Sequence, residues 1–178
     1  MNIFDKNLTE WTLFLDRDGV INRQIKGDYV RNLSQLEFLS GSIDAAARLS
    51  KRFGRVIVIT NQRGVARGLM SLQDVENIHK FICEEVEKAG GRIEKVYFCP
   101  HDYSDNCNCR KPATGMIDQA KADFPEIDLN KCLMVGDSKL DMELAINAGI
   151  RSVFIGADSP NGEPVFPSLA EFADELDK

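Results

Sequence analysis

The sequence predicts an α/β fold, a doubly wound and mainly parallel sheet of at least five strands with helices on both faces. Five short runs rich in β-branched and other apolar residues alternate along the chain with amphipathic stretches of helical period. The runs are apolar at nearly every position, as expected for strands that are buried on both faces of a parallel sheet. The length of 178 residues suits one domain, so we expect residues 1–178 to form a single unit.

The predicted elements follow one another in a regular order. The predicted strands are 12–16, 55–60, 95–99, 131–137 and 152–156. The predicted helices between them are 41–53, 71–90, 113–124 and 139–149. The second helix is the clearest, because Ser71 can cap its start with Asp74 three residues on, and Gly90-Gly91 can end it. Successive strand–helix units of this kind form Rossmann-like sheets with right-handed crossovers. From Asp158 onward we expect a surface helix or a loose tail.

Composition limits the classes of partner. Hydrophobic residues make up 43% and charged residues 28%, as in an ordinary soluble globular protein. The formal net charge of −6 disfavours a nucleic-acid partner. No apolar run reaches the ~18 residues that a membrane span needs, and the N-terminus lacks a signal-peptide pattern. We therefore expect a cytoplasmic protein that binds neither nucleic acid nor membranes, and a monomer is the simplest expectation.

Polar motifs follow four of the predicted strands. They are Asp16-Arg17-Asp18-Gly19, Thr60-Asn61-Gln62, Arg110-Lys111-Pro112 and Gly136-Asp137-Ser138 with Asp141. Each alone has a simpler explanation. Aspartates can cap a turn, Thr60 and Asn61 can open a loop, and Lys111 can be a solvated surface residue. Ligands of doubly wound sheets gather at the carboxyl ends of the strands, so one shared site explains all four motifs better than four coincidences.

Together these residues suit phosphoryl transfer. A carboxylate can attack a phosphate dianion only where a divalent cation and a fixed positive side chain reduce the repulsion. Asp16 is the candidate nucleophile, and Asp16 and Asp137 are oxygen ligands that suit Mg²⁺. Lys111 supplies the positive charge, and Thr60 supplies a hydroxyl for the phosphoryl oxygens. Asp18 can protonate the leaving alkoxide and then activate water.

These motifs, in this order, resemble the four motifs of the haloacid dehalogenase superfamily of phosphatases, over roughly residues 10 to 156. The resemblance implies an aspartyl-phosphate intermediate on Asp16, with Asp18 as general acid/base. It implies that Thr60 and Lys111 bind the phosphate. It also implies that Asp16, Asp137 and the backbone carbonyl of Asp18 hold Mg²⁺.

Three neighbours of these residues are left without an assigned part in the chemistry. Asp141 and Ser138 can form a capping box at the start of a helix, which accounts for Asp141 without a metal. No phosphate contact is assigned to Ser138. Arg17 is expected to point away from Asp16, because side chains alternate along an extended strand.

Longer segments narrow the resemblance. TNQRGVARG (60–68), CPHDYSDNCNCRKP (99–112) and VGDSKLD (135–141) are similar to the histidinol-phosphate and heptose-bisphosphate phosphatase subfamily. Segment 28–41 and the ARG of the second motif favour the D-glycero-D-manno-heptose-1,7-bisphosphate 7-phosphatase branch. The short spacing in the cysteine loop is closer to the histidinol-phosphate branch, which stays the main alternative. A polynucleotide 3′-phosphatase and a non-catalytic, zinc-stabilised binding module are further alternatives. The negative charge disfavours the first, and the intact catalytic residues disfavour the second.

The loop 99–109 carries a candidate metal site formed by Cys99, His101, Cys107 and Cys109. Three thiolates and one imidazole are a complete tetrahedral set for Zn²⁺, and a closed set of four is structural rather than catalytic. Unpaired surface cysteines beside a loop histidine are the alternative. The subfamily that the chain resembles binds zinc here. Zinc in this loop would hold Arg110 and Lys111, which follow directly, over the phosphate site.

The spacing of the motifs leaves no room for a large cap domain over the site. A capless phosphatase that acts on a small sugar phosphate has to recognise it with loops. The candidate substrate-binding residues are Asn61, Gln62, Arg67 and Arg110. Arg67 and Arg110 can bind a second anionic group, although both can equally be ordinary surface arginines.

Overall fold

The computed structural model describes residues 7–178, and its centre is a six-stranded parallel sheet. The strands are β1 (Thr12–Leu15), β2 (Arg55–Asn61), β3 (Lys95–Cys99), β4 (Cys132–Gly136), β5 (Arg151–Ile155) and β6 (Val165–Phe166). They lie in the order β3-β2-β1-β4-β5-β6. The chain therefore winds outward in both directions from the neighbours β1 and β4, and the predicted doubly wound α/β fold is confirmed.

Within residues 7–178, five α-helices cover the sheet. They are α1 (Ser42–Arg52), α2 (Leu72–Lys88), α3 (Gly115–Asp123), α4 (Lys139–Ala148) and α5 (Leu169–Leu176). Ser71 and Asp74 form the predicted capping box at the start of α2, and Ser138 and Asp141 form another at the start of α4. Each box satisfies backbone donors that the first helical turn leaves free.

The side chains of β1 alternate between two hydrophobic cores, one on each face of the sheet. Leu13 and Leu15 are buried with apolar side chains of α1, α2 and α5. Phe14 is buried on the other face, with side chains of α3 and α4. Burial of each such side chain contributes about 1.5–3 kcal/mol. The prediction of helices on both faces is confirmed.

The C-terminal stretch is more ordered than the sequence suggested. β6 extends the sheet, and α5 buries Phe172 and Leu176 in the same core as α1. Arg48 on α1 binds the carboxylates of Asp174 and Asp177 at 2.8 and 2.5 Å. Of the two alternatives expected for this stretch, a surface helix or a loose tail, the structure has the helix, and α5 packs against α1.

No accessory domain interrupts the sheet within residues 7–178. Segment 16–41 contains one short 3₁₀ turn at Leu33–Gln35, and segment 62–71 contains no further helix or strand. The prediction of a capless domain is confirmed. Among the described residues, no helix has both the length and the apolar character to cross a membrane.

Candidate active site

The polar motifs meet in a cleft of about 200 Å³ at the carboxyl ends of the central strands. The predicted site residues that line it are Asp16, Asp18, Thr60, Asn61, Arg110, Lys111 and Asp137, and Ser138, to which the sequence assigned no role, lines it as well. β1 and β4 are the two strands between which the winding direction of the sheet changes. In doubly wound sheets this is the point where ligands bind.

Lys111 is buried and holds the centre of the cleft. Its ammonium group lies 2.8 Å from Asp16 Oδ1 and 2.6 Å from Asp141 Oδ1, and it donates to the carbonyl of Ile59 at 3.2 Å. Burial lowers the pKa of Lys111, but the negative charges of Asp141 and Asp16 outweigh it and raise the pKa above its ordinary value. The ammonium group is therefore permanently charged and fixed in direction.

Asn61 fixes the backbone beside this ammonium group. Its Oδ1 accepts from the Lys111 N–H at 3.0 Å, and its Nδ2 donates to the Lys111 carbonyl at 3.2 Å. The two bonds tie the end of β2 to the loop that follows the cysteines. Asn61 therefore positions Lys111, although it also lines the cleft.

Three carboxylates crowd around this lysine. Asp16, Asp137 and Asp141 each offer an oxygen, and these oxygens lie within 4.8 Å of one another. Burial and the charge of Asp141 raise the pKa of Asp16 to about 8, against the opposing charge of Lys111. Burial and the charge of Asp141 likewise raise the pKa of Asp137 to about 6. Negative charge is thus in excess here, and a divalent cation with oxygen ligands fits the group.

Gly19 lets the turn after β1 approach this group closely. Its φ is +89°, in the left-handed region that favours glycine. A Cβ atom at this position would lie 1.9 Å from Asp137 Oδ2. Any larger residue would push Asp137 away from Asp16.

Asp141 makes two structural contacts: it caps α4, as the sequence allowed, and it binds Lys111. Its Oδ2 accepts from the hydroxyl of Ser138 at 2.5 Å and from the Ser138 N–H at 3.1 Å, which caps α4. Its Oδ1 accepts from Lys111. Both oxygens are therefore engaged within the chain, which leaves Asp16 and Asp137 as the carboxylates better placed to hold a cation.

Asp18 lies beside Asp16 in a separate network of hydrogen bonds. Arg17 Nη2 donates to its two oxygens at 2.8 and 2.9 Å. Asn22 and Gln62 donate to it at 2.9 and 2.8 Å. Burial raises the pKa of the Asp18 carboxyl, but the charge of Arg17 and these donors outweigh it and hold the pKa below its ordinary value. Without a ligand in the cleft, Asp18 is a carboxylate with a fixed orientation.

Arg17 forms a contact that the sequence did not predict. Side-chain alternation led us to expect that it points away from the site. However, β1 ends at Leu15, so Arg17 belongs to the turn and no longer follows the alternation of a strand. Its guanidinium is fully buried and pairs with Asp18.

The cysteine loop has the geometry of a tetrahedral metal site. The ligand atoms of Cys99, His101, Cys107 and Cys109 all lie within 4.8 Å of one another. Cys99 Sγ lies 3.6 Å from both His101 Nδ1 and Cys107 Sγ, and His101 Nδ1 lies 3.2 Å from Cys109 Sγ. Ligands of tetrahedral zinc, with Zn–S bonds of about 2.3 Å, lie about 3.5–3.8 Å apart. The two separations of 3.6 Å lie in this range and the separation of 3.2 Å lies just below it, so the four residues fit a metal ion with only a small adjustment of the loop.

Comparison with known proteins identifies the family. The HAD-hydrolase-like family model matches residues 108–171. A D-glycero-α-D-manno-heptose-1,7-bisphosphate 7-phosphatase of Mycobacterium tuberculosis is 43% identical over 171 residues, which cover 92% of this chain and 90% of that protein. The chain belongs to the heptose-bisphosphate phosphatase family. The prediction of a haloacid dehalogenase-like phosphoric monoester hydrolase is confirmed.

Other members of the heptose-bisphosphate phosphatase family agree with this assignment. A D-glycero-β-D-manno-heptose-1,7-bisphosphate 7-phosphatase of Pseudomonas putida is 38% identical, covering 92% of this chain and 98% of that protein. The crystal structure of a D,D-heptose 1,7-bisphosphate phosphatase from B. bronchiseptica superposes with a TM-score of 0.84 at 32% identity. The superposition covers 93% of this chain and 97% of the B. bronchiseptica chain. That structure was solved with magnesium and phosphate.

In the structure of the present chain, the four candidate substrate-binding residues have different surroundings. Arg110 lines the cleft, with its guanidinium 4.2 Å from the ring centroid of Tyr103. Gln62 is fully buried, and it donates to Asp18 and, at 3.0 Å, to the hydroxyl of Thr60. The Thr60 hydroxyl is left with its own proton to donate. Arg67 is exposed and is not among the residues that line the cleft.

The remaining wall of the cleft comes from a loop in which the sequence singled out no residue. Gln24, Asp28 and Tyr29 line it. Asp28 is held by Arg31, whose Nη2 donates to both of its oxygens at 2.7 and 2.8 Å. Segment 28–41 indicated the branch of the subfamily, but no pattern assigned a role to any one of these residues, because loops that contact a substrate have no periodicity and no fixed spacing.

Proposed function

We propose that the chain is a Mg²⁺-dependent phosphatase that removes the 7-phosphate of D-glycero-D-manno-heptose 1,7-bisphosphate through an aspartyl-phosphate on Asp16. The observation that carries the proposal is the buried contact between Asp16 and Lys111, with Asp18 beside it in the same cleft. The proposed substrate is taken from the relatives, which are named heptose-1,7-bisphosphate 7-phosphatases.

Each residue has a defined task in this reaction. A carboxylate oxygen of Asp16 forms a bond to phosphorus while the bond from phosphorus to the sugar oxygen breaks. Asp18 gives that oxygen a proton. In the second half of the reaction, Asp18 takes a proton from water as the water attacks phosphorus, which releases phosphate and restores Asp16. Lys111 and Thr60 stabilise the charge on the phosphoryl oxygens.

The pKa of Asp18 has to change between these two halves. Its carboxyl is ionised when the cleft is empty, as the donors around it require. A bound phosphate dianion brings like charge close to Asp18 and so raises the carboxyl pKa, which favours the protonated acid. Departure of the sugar leaves a carboxylate ready to act as the base.

Asp16, Asp137 and the backbone carbonyl of Asp18 would hold the Mg²⁺. The raised pKa values of Asp16 and Asp137 support this, because both carboxyls lack enough positive charge nearby. When bound, Mg²⁺ lowers the repulsion between the phosphate and the attacking carboxylate. The magnesium and phosphate bound to the B. bronchiseptica relative support a metal in this family.

Zn²⁺ is the metal that we propose for Cys99, His101, Cys107 and Cys109. A set of four protein ligands leaves no open coordination position, so this ion has a structural task. Arg110 and Lys111 follow the last ligand directly. Zinc therefore fixes the segment that carries two of the cations of the cleft.

Arg110 is the proposed contact for the second phosphate of the substrate. Its Nε and Nη1 atoms are buried and have no hydrogen-bond partner within residues 7–178. Buried donors without hydrogen-bond partners are unfavourable, and a contact from both nitrogen atoms to phosphate oxygens would satisfy them. This favours a bisphosphate over histidinol phosphate, which has a single phosphate group.

A kinetic panel tests the proposal. We would measure kcat/KM with Mg²⁺ for both anomers of the heptose bisphosphate, fructose bisphosphate and histidinol phosphate. A preference of about 100-fold for a heptose bisphosphate is expected, since loss of a buried charged contact is worth this much. Asp16→Asn should abolish turnover, whereas Asp44→Asn, an exposed aspartate on α1, should not. Full activity of the Asp16→Asn protein would overturn the proposal.

A further inference from the structure

The guanidinium of Arg17 is clamped between Asp18 and a residue that the chemistry above does not use. On one side, Arg17 binds both oxygens of the Asp18 carboxylate. On the other side, its Nη1 lies 3.2 Å from His79 Nε2. Arg17 is fully buried, so water cannot replace either partner.

His79 enters this contact as an acceptor. A guanidinium has only donors, so Nε2 must present its lone pair and the imidazole must be neutral. The surroundings agree, because burial and the positive charge of Arg17 lower the pKa of His79 to about 3. The proton of the neutral ring is therefore on Nδ1.

The position of His79 is itself fixed. It lies on α2, between the core residues Ile78 and Ile82, and is only 6% exposed. Its ring meets Phe98 edge-on, with centroids 5.4 Å apart and an angle of 64° between the planes. The imidazole thus connects a rigid helix to a turn that has no regular structure of its own.

We propose that His79 is a positioning residue, which holds the Arg17 guanidinium and through it orients the Asp18 carboxyl for proton transfer. This inference rests on the proposed function, in which Asp18 is the acid and base. Three hydrogen bonds join Arg17 to Asp18, and Asn22 and Gln62 also donate to the carboxylate, but these contacts leave the far side of the Arg17 guanidinium free to move. The bond to His79 removes that freedom, because it ties the far side of the guanidinium to α2.

The proposal predicts a dependence on the leaving group. An alkoxide such as the sugar oxygen needs a proton from Asp18 as the bond to phosphorus breaks. The nitrophenolate of p-nitrophenyl phosphate leaves as a stable anion without one. The value of kcat/KM reports the steps up to transfer of the phosphoryl group to Asp16, so misplacement of Asp18 should affect the two substrates very differently.

The test compares His79→Leu with His79→Gln, whose amide oxygen can replace Nε2 as the acceptor. For His79→Leu we expect kcat/KM to fall by about 100-fold with the heptose bisphosphate, as misplaced catalytic groups typically cause. With p-nitrophenyl phosphate the fall should be many times smaller. His79→Gln should recover most of the loss. Ile78→Val, a core change next to it on α2, controls for reduced stability alone.

Equal losses on both substrates, or no loss in His79→Leu, would overturn the inference, because either result means that His79 serves only the fold. Crystal structures of the two variants give a readout that does not need turnover. The Asp18 carboxyl should move by more than about 0.5 Å in His79→Leu and stay in place in His79→Gln. An unmoved carboxyl in His79→Leu would refute the positioning role. Failure of the proposed function gives a different result from failure of the positioning role. In that case the wild-type protein is inactive on both substrates, or the Asp16→Asn protein is active.

Discussion

At the scale of single residues, the proposed function gives Arg110 a part in substrate recognition and Lys111 a part in the chemistry. Lys111 has three partners within the chain and is buried against two carboxylates. Arg110 lines the cleft with its guanidinium against Tyr103, and two of its nitrogen atoms have no hydrogen-bond partner within residues 7–178. In the proposed function, the protein itself supplies the polar partners of the Lys111 ammonium group, whereas the substrate supplies those of the Arg110 guanidinium.

Replacement of Arg110 by Met should therefore change specificity more than catalysis. We expect kcat/KM for the heptose bisphosphate to fall by about 10- to 100-fold, the range for loss of a charge-assisted contact to phosphate. Histidinol phosphate, with one phosphate, should lose much less. Arg67→Met is the matched control, since Arg67 is exposed and does not line the cleft. Equal losses for both substrates would assign Arg110 to another task.

At the scale of elements, the cysteine loop joins a candidate metal site to the two cations of the cleft, Arg110 and Lys111. Cys99 ends β3, and Cys109 directly precedes Arg110. A metal between these ends would fix the path of the loop, whose only regular element in the described structure is a short 3₁₀ turn at Tyr103–Asp105. Arg63 adds support from outside, where it binds Asp102 at 2.6 Å.

Cys107→Ser should lose the metal and weaken turnover through the loop. We expect a fall of about 10- to 100-fold in kcat/KM, the size typical of losses in the support of a site. Zinc content by elemental analysis and kinetics on the same sample provide the measurement. Cys83→Ser, which changes a half-buried cysteine on α2, should keep both metal and activity. Normal turnover in a metal-free Cys107→Ser protein would show that the loop needs no metal.

The elements also show which features a sequence can predict. β1, β3 and β4 were located to within a residue at each end, because their apolar runs are bounded by polar motifs. β6 was missed because it has two residues, too few for any periodicity. The contacts of Arg17 with Asp18 and His79 were missed for a different reason. The contact with His79 joins residues 62 positions apart in the chain, which no local pattern encodes, and the contact with Asp18 depends on the turn that follows the end of β1 at Leu15.

At the scale of the whole molecule, the active site contributes to the dependence of stability on pH. The folded protein raises the pKa of Asp16 to about 8 and that of Asp137 to about 6. In the unfolded chain both groups titrate near the ordinary value of about 4. Between these values the folded state binds more protons than the unfolded state, so these two groups make the free energy of unfolding fall as pH rises. Their contribution to stability is present below about pH 4 and is lost as pH passes through about 6 and then about 8.

Protein without added Mg²⁺ should therefore have a melting temperature that falls between about pH 6.5 and about pH 8, because at lower pH the depressed pKa of buried His79, about 3, acts in the opposite direction. Mg²⁺ should raise the melting temperature most at the upper end of this range, because it binds the ionised carboxylates and replaces the lost protons. Differential scanning calorimetry with and without added Mg²⁺ measures both effects, and chelators are avoided so that the cysteine loop stays intact. Asp16→Asn should flatten the pH dependence, since an amide does not titrate. A melting temperature that rises with pH in this window, in protein without added Mg²⁺, would contradict the assignment of the excess negative charge to this cluster.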